Sequence, residues 1–197
     1  ALSLTELIID TGIHDAIAQK LNAKGKASKN AVAEGIINNI RKTIIRDQLT
    51  DPKFYERMSK LLDDLIAQRR DDTEDYEEFL RQAEVLAKNL AQGPGTGGVP
   101  DAIKGNREAA VLYNNLASIL FAQPDGLMAA EPVAEYGDAC LHMAIKLDKA
   151  IKNEAPAMWR GDQAKESVLL NAIHRALGKG REETLAVYEI VKNQPGY

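Results

Sequence analysis

A glycine-rich run is the feature of the sequence that most directly suggests chemistry. Residues 93–98 read GPGTGG and match the G-x-G-x-x-G motif, whose backbone amides bind a pyrophosphate. That motif needs a strand before it and a helix directly after it, but here a helical pattern precedes the run. Val99 and Pro100 follow it, where a Walker loop needs Lys and Ser or Thr. We therefore interpret the run as a linker and predict no cofactor-binding residue in this chain.

The histidines and the cysteine are the residues that could hold a metal ion. His14, His142 and His174 are far apart in sequence, and only His142 has an acid, Asp138, one helical turn before it. No further ligand stands at the spacing of a zinc motif. The single cysteine, Cys140, excludes an internal disulfide and a cysteine-based zinc site, and its apolar neighbours favour a core position. The sequence predicts no metal site.

Carboxylates could supply acid–base or metal-dependent nuclease chemistry. The fragments PDAIK (100–104) and DQAK (162–165) are similar to pieces of metal nucleases, which place such residues on neighbouring strands. Neither fragment has the alternating pattern of a strand. The acidic pair Asp63–Asp64 and the acids of 71–78 are typical of solvated helix faces and caps. The sequence therefore predicts no catalytic residue.

Basic residues are concentrated between Lys20 and Arg46, where seven of them accompany one acid, Glu34. Contacts to phosphate need only such positive charge, although the net charge of the whole chain is −4. Reading a DNA sequence would need a recognition helix of known type, and none is identified. A solvated helix face is the alternative interpretation. The candidate contacts to DNA or to a partner protein are Lys24, Lys26, Lys29, Arg41, Lys42 and Arg46.

The only tryptophan, Trp159, stands in the sequence AMWRGD between two helical patterns. Such a residue can fill the core where two helices cross, or it can be an exposed anchor for a partner. Trp159 and its neighbour Arg160 are therefore the second candidate contact site.

The elements that must position these residues are helices, because apolar residues recur at spacings of three and four through most of the chain. The pattern predicts an all-α fold, an irregular bundle of about seven to nine helices with no substantial sheet. Several helix starts carry capping residues. These are Ser28, Asp51 followed by Pro52, Asn106 and Asp162.

The Gly- and Pro-rich stretch 93–105 is the best candidate for an internal boundary. It divides the chain into segments 1–92 and 106–197. Each segment alone would bury rather little apolar surface, so we expect a single helical domain over residues 1–197 with one shared core.

Composition favours a cytoplasmic protein. The first ten residues lack the basic and apolar regions of a secretory signal, and no apolar run approaches the length of a membrane span. The lone cysteine also fits a reducing compartment.

Several segments, in the same order, resemble the C-terminal region of the motor and endonuclease subunit of type I restriction enzymes. The strongest marker is DPKFYERMSKLLDDLI (51–66), followed by WRG (159–161) and EIVKNQ (189–194). Further likeness is found in DYEEFLRQAEVLAKNL (75–90) and REAAVLYNNLA (107–117). The resemblance covers most of the chain from about residue 28.

The resemblance implies a non-catalytic helical domain of a restriction system. In that family the parent subunit is an ATP- and Mg²⁺-dependent translocase and endonuclease, whose active sites lie in other domains. This chain would then dock the motor on the methylation and specificity subunits and on the other domains of its own subunit. The alternative is a sequence-independent clamp on duplex DNA that uses the basic arm 20–46.

Overall fold

The computed structural model describes residues 2–22, 25–70, 76–94, 98–121 and 134–197. Within these ranges the chain forms nine α-helices and one 3-10 helix, without a strand. The all-α prediction is confirmed. The helices are α1 (Leu4–Thr11), α2 (Ile13–Lys20), α3 (Lys29–Asp47), α4 (Pro52–Arg70), α5 (Tyr76–Gln92), α6 (Arg107–Leu120), α7 (Ala134–Glu154), α8 (Gln163–Leu177) and α9 (Arg181–Lys192), with the 3-10 helix Asp101–Ile103 before α6.

The predicted capping residues begin the helices they precede. The Ser28 hydroxyl accepts a hydrogen bond from the Ala31 amide at 3.1 Å, and the Asn106 carbonyl oxygen accepts one from the Ala109 amide at 3.2 Å. The Asp162 carboxylate accepts from two amides of the first turn of α8. Each side chain satisfies backbone donors that a helix start leaves unpaired.

The chain divides into two compact units. Unit 1 comprises Ala1–Gln48 and Phe54–Gly93, and unit 2 comprises Leu49–Lys53 and Pro94–Tyr197. The boundary at residues 93 and 94 falls at the start of the predicted linker. No sequence pattern predicted that residues 49–53 belong to unit 2. That both units form one domain stays a prediction.

Unit 1 is built on α1, which packs against α2, α3 and α5, while α3 also packs against α5. The isoleucine stripe of α3 and the apolar face of α5 both lie in its core, because their spacing keeps these side chains on one side of each helix. Its largest fully buried side chains are Ile8, Ile13, Ile36, Ile40, Leu62 and Leu80.

Unit 2 is a bundle in which α7 packs against α6 and α8, and α9 packs against α6 and α8. Its core contains Leu147 and Ile151 from α7 and the side chain of Trp159. Val99 and Ile103 are also buried, in a smaller cluster with residues of α6. Within the predicted linker 93–105, these two apolar side chains therefore pack against α6, while the division into segments 1–92 and 106–197 stays a prediction.

Two glycines of unit 2 should respond oppositely to alanine. Gly178 closes α8 with φ 64°, a left-handed conformation that a Cβ disfavours, so Gly178→Ala should lose about 1 kcal/mol of stability. Gly137 lies within α7, where, among the described residues, the nearest atom to an added Cβ would be the Tyr113 hydroxyl at 3.8 Å. Gly137→Ala should gain about 0.5–1 kcal/mol. Chemical denaturation of both variants checks the pair, and a loss at Gly137 or a gain at Gly178 would contradict it.

Candidate functional site

The structure separates the predicted basic residues into two sets. Lys24 lies outside the described residues, while Lys26, Lys29, Arg41, Lys42 and Arg46 are all exposed. Lys29 and Arg41 line a groove of unit 1, and the other three do not. Of the described candidate residues, two therefore belong to the groove and three lie outside it.

Arg46 is already engaged by its neighbour on the chain. Its Nε and Nη2 atoms donate to the two carboxylate oxygens of Asp47 at 3.0 and 2.9 Å. This pairing raises the pKa of the Arg46 guanidinium. Part of the positive charge that the sequence suggested for DNA is thus compensated locally.

The groove lies among α3, α4 and α5, all within unit 1, and has a volume of about 450 Å³. Its buried floor is apolar, and its walls carry the half-buried Ile66 and Tyr76. Charged residues stand around the rim. The lining residues are Lys29, Asn30, Ala33, Glu34, Ile37, Arg41, Ile66, Arg69, Tyr76 and Phe79.

Electrostatics in the groove favour an anionic occupant. Among the described lining residues, three cations, Lys29, Arg41 and Arg69, accompany one carboxylate, Glu34. Arg69 Nη1 donates to Glu34 Oε1 at 2.8 Å, so this pair is internally neutral. Lys29 Nζ lies 5.1 Å from the Tyr76 ring centroid, a cation–π contact. The two remaining positive charges are those of Lys29 and Arg41.

The sequence pattern indicated Lys29 and Arg41 as candidate contacts but not Arg69 and Tyr76, which lie beside them in the groove. No local spacing could join these two residues to α3, because the groove depends on how three helices pack.

The second candidate site is largely structural. Trp159 is 3% exposed and lies in the core of unit 2, 6.1 Å between ring centroids from Tyr188. No hydrogen-bond acceptor for its Nε1 is found among the described residues. Met158, which precedes it in the same turn, is 90% exposed and has φ 52°. The role of Trp159 and Arg160 as partner anchors stays a prediction.

Arg160 holds the C-terminal segment against the Trp159 ring. Its guanidinium carbon lies 4.3 Å from the ring centroid. Its nitrogens donate to the backbone carbonyls of Lys192 at 3.2 Å, Tyr197 at 2.5 Å and Gln194. One planar fork therefore satisfies three carbonyls, a geometry that lysine could not reproduce.

A buried polar network ties the segment Leu49–Lys53 into unit 2. The fully buried Asp51 carboxylate accepts hydrogen bonds from Asn115 Nδ2 at 2.7 Å and Asn114 Nδ2 at 2.9 Å. Asn115 Oδ1 in turn accepts from the Lys53 amide at 3.2 Å. The Gln194 amide nitrogen donates to the Thr50 carbonyl. These contacts satisfy groups that would be unfavourable to bury alone.

A second carboxylate of unit 2, Asp148, is buried on α7. It accepts from the Tyr197 hydroxyl at 2.6 Å, the Asn106 amide nitrogen at 2.9 Å and Lys152 Nζ at 3.1 Å. Burial, followed by the Asp148 hydrogen bond, raises the pKa of Tyr197 well above its usual range. Tyr197 is thus a neutral donor at physiological pH.

The residues considered for metal or nucleophile chemistry are dispersed. His14 Nε2 lies 3.3 Å from a Glu77 oxygen, both well exposed, and His174 Nδ1 lies 3.2 Å from the Thr184 hydroxyl. Cys140 is buried, and burial raises the pKa of its thiol. In the part of the chain that the structure describes, no three potential ligands converge on a metal site.

Comparisons with models of protein families, with curated proteins and with solved structures found no match. Among the described residues, none of the helices combines the length and apolarity that crossing a membrane requires.

Proposed function

We propose that this chain is a non-catalytic helical assembly domain of the motor subunit of a type I restriction enzyme. It docks the motor on the core formed by the methylation and specificity subunits. The proposal is supported by the resemblance of ordered segments described above and by the all-helical fold, which suits a rigid docking module.

The observation that carries the proposal is that residues from four of the segments of resemblance contact one another in unit 2. Asp51, in the first marker, is bonded by the paired asparagines of YNNLA. Arg160, in the WRG marker, holds the carbonyls of the segment that closes the chain. Gln194 of that segment reaches back to the Thr50 carbonyl. A buried network explains why these polar residues would occur together in one sequence pattern.

The parent subunit would carry the chemistry in its other domains. Endonuclease activity, ATP-dependent translocation, ATP and Mg²⁺ are all assigned there, and no cofactor is assigned to this chain. A restriction enzyme acts on DNA inside the cell, so the proposed location is the cytoplasm.

Mixing the purified chain with a cognate methyltransferase and specificity core tests the proposal. We expect a complex whose mass, measured by light scattering, equals the sum of the core and the added chain, with or without duplex DNA. A matched control uses a core from a restriction enzyme of a different family. If the chain stays free of its cognate core, the proposal is contradicted.

The second candidate function is a sequence-independent clamp on duplex DNA. It is favoured by the exposure of Lys26, Lys29, Arg41 and Lys42. Such a clamp predicts binding that weakens steeply with salt, and roughly equal losses for Arg41→Ala and Lys42→Ala. Arg46→Ala should change duplex binding less, because Asp47 already compensates its charge. Fluorescence anisotropy with labelled duplex at several salt concentrations checks these expectations.

A further inference from the structure

We infer that the groove among α3, α4 and α5 is the docking surface, and that its occupant is an acidic amphipathic helix of a partner subunit. The identity of the partner rests on the proposed function. The shape and charge of the groove rest only on the residues that line it.

The floor of the groove is apolar, so it favours a ligand with apolar side chains. Ala33, Ile37 and Phe79 form a buried apolar base. Ile66 and Tyr76 keep part of their surface accessible on the walls. Covering this surface removes apolar area from water, which is the general source of affinity in a groove that binds a helix. A wholly polar ligand would leave that contribution unused.

The cations at the rim of the groove favour an occupant that carries negative charge. Among the described residues, neither Lys29 nor Arg41 is paired with a carboxylate, whereas Arg69 is neutralised by Glu34. An occupant with carboxylates near both unpaired cations would complete their pairing. Complementary charges of this kind set the orientation of a partner and accelerate its association.

The spacing of the two unpaired cations suits a helix. Lys29 and Arg41 are separated on α3 by about 12 residues, or about 18 Å along the helix axis. A partner helix lying along α3 would span this distance in about three turns. Its apolar residues at i, i+3, i+4 and i+7 would face the floor, with acidic residues at its two ends.

A protein segment fits this groove better than duplex DNA. Duplex DNA presents phosphates and sugars along its outside, and these would not cover an apolar floor. Lys42 and Arg46, the other cations of α3, lie outside the groove.

The test compares two double charge reversals of the full chain. Lys29→Glu with Arg41→Glu reverses both unpaired cations of the groove. Arg57→Glu with Lys60→Glu makes the same change in net charge at exposed positions of α4 outside the groove. Lys29 is the first residue of α3, where glutamate complements the helix dipole, so the groove variant should fold. Circular dichroism and thermal unfolding verify the fold of both variants.

The first probe is a synthetic amphipathic helix of about 20 residues with Leu on one face and Glu on the other. Its counterpart carries Lys in place of every Glu. We expect the acidic peptide to bind the wild-type chain and to lose at least about tenfold in affinity for the groove variant. The control variant should lose less than about threefold, from long-range charge alone. Equal losses in both variants, or no binding of the acidic peptide to wild type, would overturn the inference.

The second probe is the methyltransferase and specificity core, and the third is duplex DNA. If wild type and the groove variant both bind the core equally, docking occurs elsewhere, and the inference fails while the proposed function stands. If the methyltransferase and specificity core binds neither wild type nor the groove variant, but the acidic peptide binds the groove, the proposed function fails. The inferred preference of the groove for an acidic helix then stands. If the groove reversal instead abolishes duplex binding without affecting the peptide, the groove is a nucleic-acid surface. Self-association that is lost only in the groove variant would show that a second copy of this chain occupies the groove. That result would also overturn the inference of a partner helix.

Discussion

Replacing Asn115 by aspartate is expected to destabilise unit 2 by about 3–5 kcal/mol at neutral pH. The Asn115 amide nitrogen donates both to Asp51 at 2.7 Å and to the Val111 carbonyl at 2.8 Å. An ionised aspartate there can only accept hydrogen bonds, so the Asp51 carboxylate and the Val111 carbonyl would both lose their donor. It would also place a second negative charge beside the fully buried Asp51 carboxylate. Trp159, the only tryptophan, lies in the same unit, so its fluorescence reports the unfolding transition.

The pH dependence of this variant follows from the same contact. Burial and the Asp51 charge would raise the folded-state pKa of the new carboxyl above its unfolded value. The destabilisation should therefore be complete above that raised pKa and should diminish as the pH falls through it. Unfolding curves from neutral pH to about pH 5, below which ordinary Asp and Glu carboxyls begin to protonate, would show the recovery.

Asn171→Asp is the matched control, because Asn171 is exposed on α8 of the same unit. The same substitution there should change the free energy of unfolding by less than about 0.5 kcal/mol, at any of these pH values. A loss at Asn115 no larger than that at Asn171 would mean that the Asp51 network does not hold unit 2 together.

The local features of the fold were predictable because their causes are local. Ser28, Asn106 and Asp162 cap the helices that follow them, as a short polar side chain before an apolar-periodic run indicates. Pro52 begins α4 for the same kind of reason, since its fixed φ suits a first helical residue. Helix type and number followed from the spacing of apolar residues.

The long-range features were not predictable from such patterns. Asp51 was expected to cap the next helix. Its carboxylate accepts hydrogen bonds from Asn114 and Asn115, which lie 63 and 64 residues further along the chain. That contact places Leu49–Lys53 in unit 2, although the flanking residues belong to unit 1. The groove has the same origin, because Arg69 reaches Glu34 on another helix. Pairings of this kind depend on packing, which a single sequence does not reveal.

Trp159→Ala is expected to destabilise unit 2 by about 3–5 kcal/mol, the usual range for deleting a buried aromatic side chain. The ring packs against Tyr188 and beneath the Arg160 guanidinium, so its loss also removes the surface on which Arg160 is oriented. Trp159→Phe should lose only about 1–2 kcal/mol. It keeps an aromatic ring and removes a buried N–H for which no acceptor is found among the described residues. Far-UV circular dichroism during denaturation measures both variants.

Met158→Ala is the control for this turn, because Met158 is 90% exposed. Removing its side chain should change stability by less than about 0.5 kcal/mol.

The same three variants also show whether Trp159 acts only as a core residue or also as an anchor for a partner. If Trp159 acts only in the core, the Phe variant binds the methyltransferase and specificity core as wild type does. A Phe variant that folds stably but loses tenfold or more in affinity, about 1.4 kcal/mol, would instead show that the indole becomes exposed to a partner on docking.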